Sequence, residues 1–447
     1  MTETNTTHYG AFVTRAKIRP HDNADRLALC QIGAAQIVVG KDTIADGDLV
    51  LFFSADLQVS EEFADAHDLV GYTDDVTGER KGGYFPKNRK VRAQRFRGER
   101  SDGYVVGLDH LSFTGGDIST LTEGMLIEEF NGVPIAKKYV NPHSRVRVNG
   151  QPKARKSNPD FFKHVETEQF LYYVGQIRPG SLITISAKRH GTSGRTGKFL
   201  ETVELPRSWK DKLLRRTRTE KVWRVLTGTR NVVLDGNPNA VGWYADESFR
   251  QKAVSDFADA LHEGETVYYE LTGWAGPETP IMSPWDLTDS KDFKKWGKGH
   301  FDYGCPPGTL ALHVYRITQV THDFTGAPLY VELSDAQMRK RCQELGLKAV
   351  TKLDQFIYEG DVRSDDESDD RDRQTPVKDA LVAKVVSLVE DDDRDFDSPH
   401  VIKEGVVLRI DCPSGRSWWL KNKNMTFRIA EGIVHERDDL VDREEVS

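Results

Sequence analysis

Residues 403–423 read Lys403-Glu404-Gly405-Val406-Val407-Leu408-Arg409-Ile410-Asp411-Cys412-Pro413-Ser414-Gly415-Arg416-Ser417-Trp418-Trp419-Leu420-Lys421-Asn422-Lys423. Two apolar runs, Val406 to Ile410 and Ser417 to Lys423, have the short lengths expected of strands. A carboxylate on an apolar strand beside a glycine is costly unless it is paired, opens on a cleft or lies near a metal. Lys421 and Lys423 are two residues apart, so on a strand both point to one face. Two like charges there repel unless an anion sits between them; an edge strand protected by lysines would look the same.

Two further stations lie upstream in an ordered series. Lys188 stands in Ala187-Lys188-Arg189-His190-Gly191-Thr192-Ser193, at the end of an expected strand, Leu182 to Lys188. A lysine amine becomes a nucleophile when neighbouring cations or desolvation favour its neutral form. Alone, this spacing describes many surface lysines. Glu270 stands in Val267-Tyr268-Tyr269-Glu270-Leu271-Thr272-Gly273, again on an apolar run. A salt bridge to a nearby Lys or Arg is the plain structural alternative for Glu270 and for Glu404. The glycine-rich stretch 191–198 (GTSGRTGK) is not a P-loop: its glycines are wrongly spaced, and Phe199 follows Lys198 where Ser or Thr must hold magnesium.

The chain of 447 residues is long enough for two or three domains. Its net charge of −8 hides a local imbalance. The acidic excess lies in two late runs, Asp361–Asp372 and Glu390–Asp397; the first reads as a disordered loop at about 360–374. Neither has the glycine turn and final glutamate of a calcium loop. Basic residues cluster elsewhere. Lys87 to Arg100 holds seven cations, Arg145 to Lys156 five more, and Arg207 to Arg224 is also basic. With Phe96, Trp209 and Trp223 interleaved, they suit a nucleic-acid partner, and Arg89, Arg92, Arg95 and Arg97 are the phosphate-contacting candidates. Cys30, Cys305, Cys342 and Cys412 are scattered without metal-ligand spacing, so neither zinc nor disulfides are demanded. No apolar leader or membrane-length run occurs, and the reducing cytoplasm is the expected compartment.

Along the chain, strands are expected at Phe12–Ile18, Ala28–Ile32, Gln36–Val39, Leu49–Phe53 and Tyr104–Gly107, at the close spacing of a small barrel. Residues 1–132 would form this front module and 133–160 a basic Pro/Gly connector. Residues 161–447 would form a mixed domain, with a helix over Asp246–Leu261, strands at Val267–Thr272 and Leu310–Thr318, and an acidic tail from about 430.

Lys17 to Leu51, with Pro20-His21 and Ala24-Asp25-x-Leu27, resembles the OB-fold tRNA-binding modules found on aminoacyl-tRNA synthetases. The later stations, in their order, resemble the motifs of covalent nucleotidyltransferases: ATP-dependent DNA and RNA ligases and mRNA capping enzymes. Gly228-Thr229-Arg230-Asn231-Val232-Val233 resembles the arginine segment of RNA ligases. Tyr303 to Gly308 followed by His313 to Ile317 resembles the strand on the adenine side. An OB-like module in front, and none after Lys423, most resembles the Deinococcus-type RNA ligase over about residues 10 to 425.

This resemblance implies an α+β chain: an N-terminal OB-fold barrel and an antiparallel-sheet adenylyltransferase domain. It implies ATP as substrate and Mg2+ or Mn2+ as metal. Lys188 would carry AMP, Glu270 and Glu404 would hold the metal through its waters, and Arg230 would contact ribose or the substrate strand. Val407 would pack on adenine, while Lys421 and Lys423 would contact phosphates. The partner would be RNA, or an RNA-containing duplex, with 3′-OH and 5′-phosphate ends, and the protein a monomer. Relatives often have Asp where this chain has His190, and an imidazole cannot anchor hydrated metal in the same way. The residue stacking on adenine is not identified: Leu312 or His313 falls where an aromatic is expected. Because every nucleotide motif follows Lys156, a fragment starting there is expected to keep nucleotide chemistry. The alternatives are a DNA ligase, a capping guanylyltransferase, or a degenerate domain that only binds RNA.

Overall fold

The computed structural model describes residues 9–33, 35–55, 57–73, 80–81, 83–139, 158–165, 167–205, 218–230, 233–234, 248–290, 293–360 and 377–436. The acidic run after residue 360, the basic run 145–156, Trp209 and the end of the acidic tail lie outside them.

The five front strands form as Ala11–Arg15 with Lys17–Pro20, Leu27–Ile32, Ala35–Gly40, Leu49–Ser54 and Gly103–Gly107. The expected first strand is broken at Ala16. Its amide bonds to Asp48 O and its carbonyl accepts from Gly47 N–H, so the chain leaves one sheet and enters another. Ala11–Arg15 pairs with Leu49–Ser54 in a four-stranded sheet, and Lys17–Pro20 pairs with Leu27–Ile32 in a three-stranded one. Strand alternation feeds two cores from one strand. Val50 and Phe52 join Ala16, Cys30 and Ile37, while Leu51 and Phe53 join Val13, Phe63 and Ile135. Among the described residues these ladders do not close into a barrel. The strand Ala136–Lys138 pairs with Leu57–Val59, so the start of the expected connector is part of the front module.

The rest is mainly two sheets, antiparallel except for Glu168–Gln169 and Lys348–Ala349, which join as parallel edge strands, with helices outside. One sheet contains Lys352–Tyr358, Ser181–Lys188, Gly405–Asp411 and Ser417–Lys423, in that order, with Glu168–Gln169 at its edge. Ile183, Ile185, Val406, Leu408, Ile410 and Leu420 alternate onto its outer face. There the helix Val377–Glu390 covers them with Leu381, Val385 and Val389, four residues apart on one stripe. The other sheet contains Thr219–Thr229, Thr192–Glu204, Glu265–Gly276, Leu310–His322 and Pro328–Glu332. Its outer face packs Tyr269, Leu271, Val314 and Ile317 on Phe257, Met338 and Cys342. The helical pattern at 246–261 produces a helix only over Ser248–Val254, then a 3-10 turn at Ala258–Ala260. The run Glu390–Asp397, acidic in sequence, is folded: buried Arg189 ion-pairs with both Asp395 and Asp397. No described helix is long and apolar enough to cross a membrane.

Candidate active site

Three strands set Lys188. Lys188 is level with Gly405, and Gly405 with Lys423, so the two lysines flank a residue without a side chain. A Cβ at Gly405 would lie 2.1 Å from the Asn422 carbonyl oxygen. The next pocket-facing row is Ser186, Val407 and Lys421. Lys188, Lys421, Lys423 and Val407 all line one pocket between the two sheets. Glu404 is fully buried beneath it, its Oε1 2.7 Å from Lys188 Nζ and 3.4 Å from Lys423 Nζ. The salt-bridge alternative for Glu404 therefore has the other stations as its partners.

The second sheet supplies the opposite wall. Ser193 is level with Glu270, and both line the pocket with Arg230. Gly191 is required there, because a Cβ would meet Leu271 O at 2.2 Å and the Glu270 side chain at 3.0 Å. Tyr315 reaches the pocket through a β-bulge. Pairing jumps from Tyr269–Val314 to Tyr268–Arg316, which leaves Tyr315 as the extra residue. Its hydroxyl bonds Ser193 Oγ at 2.9 Å, and the His164 ring stands edge-on to it at 4.8 Å. Strict alternation cannot foresee this, so the aromatic falls outside the sequence register that pointed to Leu312 or His313. His313 is instead buried, with Nε2 3.3 Å from Thr272 Oγ1.

The electrostatics follow from burial beside cations. Desolvation, then the charges of Arg316, Arg230 and Lys188, hold the His164 imidazole well below its usual range. Burial raises the Tyr315 phenol, as does the Glu270 charge. His190 points elsewhere: its ring stands edge-on between Phe301 and Phe427, 4.6 and 4.8 Å away. Its backbone N–H donates to Tyr303 Oη at 2.8 Å, and Tyr303 in turn stacks on Arg189. The two residues after Lys188 thus anchor the turn.

The front module also reaches the pocket, which the sequence does not signal. Tyr9, Lys90, Lys138 and Tyr139 line it, with Lys90 Nζ over the Tyr139 ring and Lys138 Nζ over that of Tyr9. Lys138 lay in the expected connector. Lys90 lay in the basic run expected to contact nucleic acid. Arg89 donates to Val59 O and lies 3.7 Å from Glu61, Arg92 is half-buried, and Arg97 is exposed in a turn with φ +53°. The Arg95 side chain lies outside the described residues. Sequence reasoning also missed His164, Arg409, Trp419 and Glu431 in the pocket wall.

Glu270 at the pocket wall is the carboxylate that could meet a hydrated divalent metal. Glu404, fully buried against Lys188 and Lys423, lies behind that wall, and no three His, Cys, Asp or Glu residues converge among the described residues.

This architecture of two sheets around a lysine-lined cleft is one that RNA ligases use. The structure is similar to Naegleria gruberi RNA ligase. With a point variant in the apo form the TM-score is 0.57 at 15% identity, covering 95% of this chain and 99% of that one. With a point variant solved with ATP and Mn it is 0.56 at 15%, covering 94% and 98%. With the ligase solved with PPi it is 0.56 at 14%, covering 96% and 99%. At such identities the likeness establishes the fold. No protein-family model and no curated sequence matches the chain.

Proposed function

We propose that this protein is an ATP-dependent RNA ligase working through a lysyl-AMP intermediate. The observation that carries this is Lys188 Nζ at 2.7 Å from a fully buried carboxylate, in a cleft shared with Glu270, Arg230, Lys421 and Lys423. The RNA-ligase fold supports it, and so do ATP and AMP in structures of the Naegleria enzyme.

In the first step the Lys188 amine attacks the α-phosphorus of ATP; a P–N bond forms and pyrophosphate leaves. In the second a 5′-phosphate oxygen attacks that phosphorus, the P–N bond breaks and the lysine is regenerated. In the third the 3′-hydroxyl attacks the 5′-phosphate and AMP departs. Glu270, with Glu404 behind it, would hold Mg2+ or Mn2+ through its waters, and such an ion would supply positive charge that favours the neutral amine and offsets charge on the reacting phosphate. Val407 and Tyr315 offer apolar and aromatic surface to the base. Lys421 and Lys423 face the phosphates from below, and Lys90 and Lys138 from the front module. His190, enclosed by Phe301 and Phe427, takes no part in holding metal.

The division into an RNA-binding front module with an OB-like strand order, a connector and a nucleotidyltransferase domain belongs to this reading. So do the Deinococcus-type assignment, RNA repair, a cytoplasmic setting and a monomeric state. Incubation with α-labelled ATP or GTP and a divalent ion, then denaturing electrophoresis, tests it. Label retained from ATP supports the ligase, and label from GTP alone points to capping chemistry. Absence of label from both overturns the reading. Sealing of RNA but not DNA nicks separates it from a DNA ligase.

A further inference from the structure

The helix Met425–Glu436 begins two residues after Lys423, and the chemistry above gives it no task. It joins the front module to the pocket. Met425 packs with Ala55 and Ala93, and Arg428 donates to the Asp102 carboxylate at 2.8 Å and to its carbonyl at 3.0 Å. Three residues on, and therefore on the same side of the helix, Glu431 lines the pocket. Its Oε1 accepts from Lys423 Nζ at 3.0 Å. Lys423 Nζ is also 3.4 Å from Glu404 Oε1 and 5.2 Å from the centre of the Phe427 ring.

The ammonium that a triphosphate needs is thus already held by two carboxylates. Glu404 is engaged with Lys188 at 2.7 Å and is fully buried, whereas the Glu431 side chain is 17% exposed at the pocket wall. We propose that Glu431 is a positioning residue for Lys423. It holds the ammonium at the wall in the nucleotide-free protein, yields it to the triphosphate, and takes it back as pyrophosphate leaves. This rests on the reading that the pocket takes ATP with Lys423 on its phosphates. The exchange of one anionic acceptor for another keeps Lys423 satisfied at each stage, so pyrophosphate does not gain the full value of its contact and is released readily. Anchored through Arg428, the helix also fixes where Glu431 stands relative to the front module.

The test uses full-length nucleotide-free protein and inorganic pyrophosphate as probe, with binding measured by calorimetry. Glu431→Gln keeps the side-chain shape and removes the charge. It should bind pyrophosphate about fivefold more tightly, the value of one partly exposed ion pair. Pyrophosphate inhibition of lysyl-AMP formation should strengthen by a similar factor. In a Lys423→Met background, Glu431→Gln should give no such gain. An equal gain in both backgrounds would mean a general loss of negative charge near an anion and would overturn the proposal. So would an unchanged or weaker affinity in the single variant at unchanged melting temperature. If Glu431→Gln does not fold, Glu431→Asp, which withdraws the charge by one methylene, should show a smaller gain, and no gain there overturns the idea. Wild-type protein that takes no label from ATP would instead sink the nucleotide reading itself.

Discussion

Each carboxylate at the site stands in a different place, and the difference is measurable. Lys188→Ala removes the nucleophile: covalent labelling from ATP should vanish in a denaturing gel, while a pre-adenylylated RNA strand is still sealed to some extent. Persistent labelling would place the nucleophile elsewhere. Glu270→Ala acts at the pocket wall and should lower metal-dependent turnover by about a hundredfold or more with folding preserved. Glu404 is fully buried against Lys188 and Lys423. Removing its charge leaves two ammonium groups facing one another without it. Glu404→Gln should therefore lose activity and also about 3 kcal/mol of stability. Denaturant melts of the two variants check the distinction, and equal stability in both would contradict the burial argument. Arg189, which looks in sequence like one more cation beside the lysine, is a buried anchor to Asp395 and Asp397.

At the scale of elements, the front module lines the same pocket as Lys188 and Lys423. The strand Ala136–Lys138 is held by Leu57–Val59 and brings Lys138 to the pocket, and Lys90 comes with it. A fragment starting near Lys156 would lose both cations and expose the face that Met425 and Arg428 cover. The motif order suggests that it keeps adenylylation; the fold argues that it loses most of it. Lys90→Ala and Lys138→Ala in the full chain separate chemistry from folding. Each should raise the ATP concentration for half-maximal labelling about tenfold, the value of a charge-assisted hydrogen bond to phosphate. Unchanged ATP dependence in both would return these lysines to RNA binding. Elements that depend on local pattern formed where the pattern lies: Ser181–Lys188, Gly405–Asp411 and Ser417–Lys423 all match their apolar runs. The bulge that delivers Tyr315 has no such pattern, because it arises from a mismatch between two strands.

For the molecule as a whole, buried His313 and half-buried His164 make stability depend on acidity. Burial first, then the Arg189 and Lys348 charges, lower the His313 imidazole to about 4, and His164 is lowered in the same direction. Unfolded, each would titrate near 6.5. Between these values the unfolded chain binds more protons than the folded one, so stability is complete above about pH 6.5 and falls as pH drops toward 4. His313 alone accounts for a loss on the order of 3 kcal/mol across that window. Thermal melts from pH 7.5 to 4.5 should show this decline, and His313→Gln should make it shallower. A melting temperature independent of pH would mean that both rings titrate alike in the folded and the unfolded chain.

The strands around the pocket and the charged residues on them were legible in the sequence, because strand period and residue type are local properties. The order of Lys188, Glu270, Glu404, Lys421 and Lys423 was legible for the same reason. Only the tertiary structure decided what these residues touch. Gly405 lets Lys188 and Lys423 flank one buried carboxylate, a bulge turns Tyr315 inward, and two aromatic rings enclose His190. Lys90 and Lys138 reach the pocket from elements far from it in the chain, and Glu431 from the helix that follows its last strand. Such contacts depend on how sheets and a helix pack across long sequence separations, which no local run of residues encodes.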